Sequence, residues 1–172
     1  MLKWIFLAAS LLAARAWSAD IQELRVDGMR LSIPYADFIK VRPEAVGQNG
    51  WHMYSPVPQD KKELGFSVRG YMRGFESGRG CSAAIGFSNT SAVETEKLSQ
   101  NIAALLTAHK MVKTTVVEQG GTRFSYWEGP GAYASIDRLI KGSESFGVSL
   151  QMTLKSCPDS ADQFKSRPPT KK

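Results

Sequence analysis

The sequence is poor in the side chains that most often carry catalysis or hold metals. It contains two histidines and two cysteines among 172 residues. His52 and His109 belong to no H-E-x-x-H or C-x-x-C spacing of the kind that binds zinc. The sequence also has no D-x-D-x-D-G calcium loop, no G-x-S-x-G or S-x-x-K nucleophile motif and no glycine-rich phosphate loop before a helix. We therefore predict neither a metal site nor a cofactor.

An excess of charge of one sign is also missing once the two ends are set aside. The chain carries 22 basic and 16 acidic residues, a formal charge of +6. The surplus comes from basic residues near the ends: Lys3, Arg15, Lys165, Arg167, Lys171 and Lys172. The span 20–164 is therefore neutral, and a nucleic-acid-binding face is not expected. Residues 165–172, KSRPPTKK, are predicted to form a disordered basic tail.

No apolar run is long enough to cross a bilayer. The main apolar stretch, residues 4–14, has eleven residues, whereas a spanning helix needs about 20. Lys3 precedes this stretch and small residues follow it, which is typical of a secretory signal peptide. We predict that residues 1–19 are a signal peptide, cleaved after Ser18 or Ala19. The mature protein is expected to be soluble and periplasmic, with no membrane insertion.

Cys81 and Cys157 are the only cysteines, and neither directly follows the apolar stretch, which excludes lipid attachment there. In an oxidising compartment, the two cysteines of a small exported chain usually pair. We therefore predict a Cys81–Cys157 disulfide, which stabilises the fold by about 4–5 kcal/mol if loop-closure entropy is the source. The alternative is a catalytic thiol at Cys81, activated by His52 or His109.

Alternation of apolar and polar residues dominates the rest of the chain and predicts β-strands. Asp27-Gly28 is a strong signal for a two-residue hairpin turn, which pairs Val26 with Met29 and places Arg25 opposite Arg30. Further strands are predicted at 64–69, 81–88, 111–118, 122–128, 131–140 and 146–155, the last of them central in the sheet.

One long helical pattern interrupts the strands. Ser91 and Glu94 have the spacing of a capping box. A stripe at helical spacing follows, formed by Leu98, Ile102, Leu105, Leu106 and His109. A second, short helix is predicted near 160–164. We predict that residues 20–164 form a single α+β domain, with an antiparallel sheet and one long amphipathic helix packed on a face.

This element order resembles that of the PsbP-like fold of small exported bacterial proteins. The resemblance is carried by the hairpin opening VDGMRLSIP, the helix SAVETEKLSQNIAALLTAHK and the strands after it. Some immunity proteins of type VI secretion systems are likewise small, exported, disulfide-bearing domains of mixed build. The resemblance implies a role in neutralising a toxin. It implies no functional residues, because no signature motif is shared.

Aromatic segments near proline and glycine are the candidate binding residues. In FSYWEGPGAY, a predicted loop presents Tyr126, Trp127, Glu128 and Tyr133 around a Pro-Gly turn, an arrangement common at interfaces. The alternative is that one or two of these rings pack into the core. A second predicted loop, GQNGWHMYSPVPQDKK, offers Trp51 and Tyr54. A third, GYMRGFESGRG, is glycine-rich and basic, with Arg73 and Arg79.

These observations favour recognition of a protein partner over chemistry. We expect an exported binding protein, an inhibitor or immunity protein that neutralises a cell-envelope toxin by protein–protein contact. One alternative is a small cell-envelope hydrolase that uses Cys81 or the carboxylate pair Glu128 and Asp137. Another is a passive accessory protein of the envelope.

Overall fold

The structure is a computed structural model, which describes residues 24–88, 91–141 and 144–166. The predicted signal peptide, residues 1–19, lies outside the described residues, and so do residues 142–143 between the strands predicted at 131–140 and 146–155. Most of the predicted tail, residues 167–172, also lies outside them. Lys165, the first residue of that tail, is the last residue of a helix.

Strands account for about half of the described chain, and three helices interrupt them. The strands are β1 (Arg25–Val26), β2 (Met29–Arg30), β3 (Val46–Gln48), β4 (Trp51–Tyr54), β5 (Lys62–Glu63), β6 (Phe66–Glu76), β7 (Arg79–Phe87), β8 (Val112–Gln119), β9 (Thr122–Glu128), β10 (Ala132–Lys141) and β11 (Glu144–Leu154). The helices are α1 (Tyr35–Val41), α2 (Ala92–Ala108) and α3 (Pro158–Lys165). The α+β class and the short final helix were predicted from the sequence and are confirmed.

The main sheet is antiparallel throughout and has the order β3-β4-β6-β7-β11-β10-β9-β8, with β5 paired to β6 outside this path. Two hairpin systems build it: β3 to β7 on one side, and the β8–β11 meander on the other. They join where β7 pairs with β11. The strand β11, predicted to be central, therefore has a neighbour on each side. The helix α2 links β7 to the far edge strand β8.

One face of the sheet, called the core face below, carries the hydrophobic core. It presents the inward positions of β7 and β11, such as Ala83, Ile85, Leu150 and Met152. The α2 residues Leu98, Ile102 and Leu106 are fully buried in the same cluster. Val26, Met29 and Leu31 of the first hairpin region and Phe38 of α1 join it as well. The buried side chains of these elements therefore belong to one hydrophobic core.

The capping box at the start of α2 is present as predicted. The Glu94 backbone N–H donates to the Ser91 hydroxyl at 3.3 Å, and the Ser91 backbone N–H donates to a Glu94 carboxylate oxygen at 3.0 Å. The Ser91 backbone N–H, followed by its hydroxyl, lowers the pKa of Glu94 because both stabilise the carboxylate. Two donors that the helix itself leaves without partners are thereby satisfied.

The opposite face of the sheet, called the outer face below, is covered by a helix at one end. Here α3 packs through Phe164, whose ring lies 5.6 Å from the Tyr133 ring and 5.9 Å from the Tyr126 ring between centroids. Met53 and Met72 are cross-strand partners on this face, and Met53 is 47% exposed. The described part of the chain places no helix over these methionines.

The predicted hairpin is formed by β1 and β2 with the expected register, Val26 opposite Met29 and Arg25 opposite Arg30. Asp27 and Gly28 adopt positive φ of 53° and 75°, as a two-residue turn of this kind requires. Val26 and Met29 are buried and both arginines are exposed. Turn chemistry and alternation were therefore sufficient to predict this element.

The predicted disulfide between Cys81 and Cys157 is also confirmed, with the two Cα atoms 5.8 Å apart. Cys81 is in β7, and Cys157 is the residue immediately before α3. The bond therefore joins the sheet to the last helix. The carboxylate of Glu76, in β6, accepts the Ser160 backbone N–H at 3.2 Å and ties the same helix to the sheet.

Two local assignments made from the sequence are wrong. Leu64, placed in a strand, lies in the two-residue turn between β5 and β6 with a φ of 54°. The segment GYMRGFESGRG, expected to be a basic loop, consists of most of β6 and the start of β7 around the turn Ser77-Gly78. Three of its four glycines, Gly70, Gly74 and Gly80, lie within strands, and Arg73 is fully buried.

Candidate functional site

The rings of FSYWEGPGAY belong to the strands predicted at 122–128 and 131–140, so the expected loop is confined to the few residues between β9 and β10. Tyr126, Trp127 and Glu128 are in β9, and Tyr133 is in β10. Trp127 faces the core and is 8% exposed, whereas Tyr126 lies on the outer face beneath Phe164 and is 5% exposed. The alternative of core packing therefore describes both rings.

Glu128 and Tyr133 remain accessible in part at the end of the outer face. The Glu128 carboxylate lies 2.5 Å from Lys155 Nζ, and this ammonium lies 4.8 Å from the centroid of the Tyr133 ring. Lys165 Nζ approaches the same ring at 5.4 Å. The arrangement is a small cation–aromatic cluster in which one lysine is already neutralised by Glu128.

The second predicted loop is also partly a strand. Trp51 and Tyr54 occupy the two ends of β4, and their side chains point to opposite faces of the sheet. Tyr54 is buried on the core face, where its ring stacks on Tyr71 with centroids 5.4 Å apart. Trp51 is on the outer face, two positions from Met53. The predicted binding residues that stay accessible, Trp51, Glu128 and Tyr133, therefore share the outer face.

The same face contains a groove that the sequence did not reveal. It has a volume of about 580 Å³ and lies where β3, β4, β6 and β7 run side by side. Its apolar side chains are Val46, Met53 and Met72, and Val46 is 68% exposed. Glu44 and Arg69, one charge of each sign, lie at its rim. We call this feature the Met53 groove.

Two glycines form the floor of the Met53 groove. Gly70 and Gly86 are direct cross-strand partners in β6 and β7, so no side chain rises from this part of the sheet. A Cβ added at Gly86 would meet its nearest neighbour, the Gly70 carbonyl oxygen, at 3.8 Å, which is ordinary contact. The depression therefore results from missing side chains, and a Cβ at Gly86 fits the backbone as it stands.

The chemistry required by the hydrolase alternative is not assembled at its named residues. Cys81 is bonded to Cys157 and fully buried, so it offers no thiolate. Asp137 pairs with Phe124 across β9 and β10, and Glu128 lies four residues further along β9. At about 3.3 Å per residue, the two carboxylates are about 13 Å apart. Glycosidase pairs are separated by about 5–9.5 Å, so this pair is too far apart.

A cluster of three potential metal ligands has a different explanation. The ligand atoms of Glu76, Cys81 and Cys157 lie within 4.8 Å of one another. Both sulfur atoms are already joined in the disulfide, and Glu76 accepts hydrogen bonds from Ser160. The group therefore holds α3 in place.

Buried charges that no sequence pattern predicted lie beneath the β1–β2 hairpin. The Asp27 carboxylate is fully buried and forms ion pairs with Arg42 and Lys61. Nearby, Tyr71 donates to Glu63 at 3.1 Å, and burial, followed by the Glu63 charge, raises the pKa of Tyr71. Because these groups satisfy one another, the cluster attaches the hairpin to the sheet.

Among the described residues, no helix is long and apolar enough to span a membrane. No protein-family model matches this chain, and neither a curated protein nor a solved structure matches it. The Met53 groove must therefore be interpreted from its own geometry.

Proposed function

We propose that this protein binds another protein in the cell envelope and inhibits it, as an immunity protein neutralises a toxin. The Met53 groove is the contact surface in this proposal. The carrying observation is that Val46 and Met53 project, largely exposed, from the sheet face that α3 covers only at one end. An exposed apolar depression with a charged rim is typical of a surface that receives an anchor side chain from a partner.

The composition of the groove supports a protein partner. Methionine is flexible and polarisable, and it adapts to side chains of different shape. Glu44 and Arg69 provide a polar rim around the apolar centre, which is the usual anatomy of a protein interface. Trp51 lies on the same strand and face as Met53 and extends the apolar surface towards α3. Trp51, Glu128 and Tyr133 stay predicted partner contacts.

Export to the periplasm through a signal peptide remains part of the proposal, and the disulfide is consistent with an oxidising compartment. The likeness to PsbP-like proteins and to immunity proteins is proposed on element order. It includes α2 as the amphipathic helix that covers the core face, and the full burial of Leu98, Ile102 and Leu106 supports this arrangement.

The test fills the groove and leaves the core untouched. Gly86→Leu places an isobutyl group on the glycine floor of the groove, beside Gly70, whereas Gly86→Ala adds one methyl group and serves as the matched control. A photo-crosslinking amino acid at Met53 captures the partner in the native cell. A second probe at Val93, 80% exposed on α2, reports background capture.

We expect an adduct from the Met53 probe that the Val93 probe does not form and that Gly86→Leu abolishes. The Gly86→Ala protein should protect cells from the captured partner, and the Gly86→Leu protein should not. A Gly86→Leu protein of unchanged melting temperature that binds and protects normally contradicts the groove as the site. Binding that leaves the partner's activity unchanged contradicts inhibition and favours the passive accessory role.

A further inference from the structure

The edge strand β8 has an outer side with no strand partner among the described residues. It has eight residues and pairs only with β9. Its side chains are exposed except that of Val117, which is half-buried, and five of the eight residues are valine or threonine. The opposite edge strand, β3, has only three residues. A long, β-branched edge offers unpaired N–H and C=O groups to another strand.

The turn that follows β8 determines which of its backbone groups point outward. Gly120 and Gly121 form a two-residue turn, and Gln119 faces Thr122 across it. In such a hairpin the residues flanking the turn are hydrogen-bonded to each other, and the pattern alternates from there. The backbones of Glu118 and Val116 therefore point away from β9.

The backbone of Lys113 also points away from β9, because β8 contains a β-bulge. The register shifts between Lys113 and Thr115, so Thr114 is an extra residue and Lys113 takes the next outward position. The side chains of Lys113, Val116 and Glu118 also share one face of the sheet, the core face. Each of these three residues therefore has a backbone that is free to pair with another strand and a side chain on the core face.

The charges at these positions are complementary to each other. Glu118 binds Arg123 through one carboxylate oxygen, Oε1, at 2.5 Å and 2.6 Å, which leaves Oε2 for a second cation. Lys113 makes no ion pair with any residue that the structure describes. Lys113 and Glu118 lie at equal distances on the two sides of Val116 once the extra residue is discounted.

We propose that β8 pairs antiparallel with β8 of a second copy of this chain. Val116 lies opposite Val116 of the second copy, and Lys113 lies opposite Glu118 of the second copy. The two-fold axis repeats this ion pair, as an isologous interface requires. This self-complementarity favours a second copy over a foreign strand. The Met53 groove lies at the other end of each sheet, so dimer formation leaves it open.

The test uses two charge-reversal variants. Each one alone creates like-charge repulsion across the dimer interface, and a mixture of the two restores opposite charges there. In Lys113→Glu, every pair across the axis is acidic, and in Glu118→Lys every pair is basic. Each variant alone should dissociate about tenfold or more readily than the parent in sedimentation velocity, because the symmetry applies the change twice. An equimolar mixture of the two variants pairs Glu with Lys at every contact and should form a heterodimer.

A backbone test is independent of charge. Val116→Pro removes an outward N–H at an edge position that tolerates proline, and it should give a monomer. Val116→Thr keeps the N–H and the branched side chain, and it should dimerise like the parent. A parent protein that stays monomeric across its concentration range overturns the proposal. The proposal is also overturned if both charge-reversal variants dimerise as tightly as the parent, or if the mixed variants form no heterodimer. None of these results bears on partner binding at the groove.

Discussion

Replacement of Arg73 by lysine conserves the charge, yet it should destabilise the folded protein strongly. Arg73 is fully buried in β6 and donates to three carbonyl oxygens of the hairpin region: that of Val26 at 2.7 Å and those of Met29 and Arg30 at 2.9 Å. Two guanidinium nitrogens share these acceptors, which a planar fork allows. A lysine ammonium is a single point on a flexible stem and cannot reach all three.

The expected loss in free energy of unfolding can be estimated from the backbone carbonyl oxygens that lose their hydrogen-bond donor. Lysine keeps the buried charge and therefore its desolvation cost, while one or two carbonyls lose their donor. Each buried acceptor without a partner costs about 1–3 kcal/mol. We expect Arg73→Lys to lower the free energy of unfolding by about 1–6 kcal/mol.

The assay is urea-induced unfolding followed by tryptophan fluorescence. Arg69→Lys is the matched control because Arg69 lies in the same strand but is exposed, and we expect a change within about 0.5 kcal/mol. Hydrogen exchange provides a local readout, since the amides of β1 and β2 should exchange faster in Arg73→Lys. If both variants unfold at the same urea concentration and hairpin exchange is unchanged, Arg73 does not anchor the hairpin.

Three further predictions concern stability. The double variant Cys81→Ala/Cys157→Ala opens a loop of 76 residues and should lose about 4–5 kcal/mol in urea unfolding if loop-closure entropy dominates; an unchanged midpoint contradicts this. Ser91→Ala removes the cap of α2 and should cost about 1 kcal/mol in the same assay, whereas no loss means that water replaces the cap. Burial raises the pKa values of Tyr54 and Tyr71, so above about pH 10, where unfolded tyrosine ionises, the folded state keeps protons that the unfolded state releases. The free energy of unfolding should therefore fall as the pH rises past this value, and tyrosinate absorbance titration should show two groups that ionise late.

The sequence predicted correctly those elements that are specified by residues close together in the chain. Asp27 and Gly28 specify the first turn by their tolerance of positive φ, and Ser91 with Glu94 specifies the start of α2. The same-face parity of Cys81 and the apolar residues around it agreed with a buried half-disulfide. Each of these inferences needs only residues a few positions apart, and each agrees with the structure.

The predictions that were wrong concern residues whose neighbours are distant in sequence. Arg73 looked like part of a basic loop because glycines surround it, yet its hydrogen-bond acceptors are 43 to 47 positions away. For Trp127 the sequence left two alternatives open, an exposed contact beside the Pro-Gly turn or packing in the core. Its burial depends on the position of α2 and on the pairing of β9 with β10, neither of which a local pattern specifies.

The Met53 groove shows why a binding surface is harder to predict than a strand. A glycine in an alternating segment can mark a turn, a bulge or a position where no side chain is wanted. Gly70 and Gly86 belong to the last kind only because β6 and β7 pair in the register that sets them side by side. A shift of one residue would place side chains between them and close the depression. The groove thus depends on the register between β6 and β7. A substitution that tests the groove must therefore change the side chain at Gly86 and leave the pairing of these strands intact.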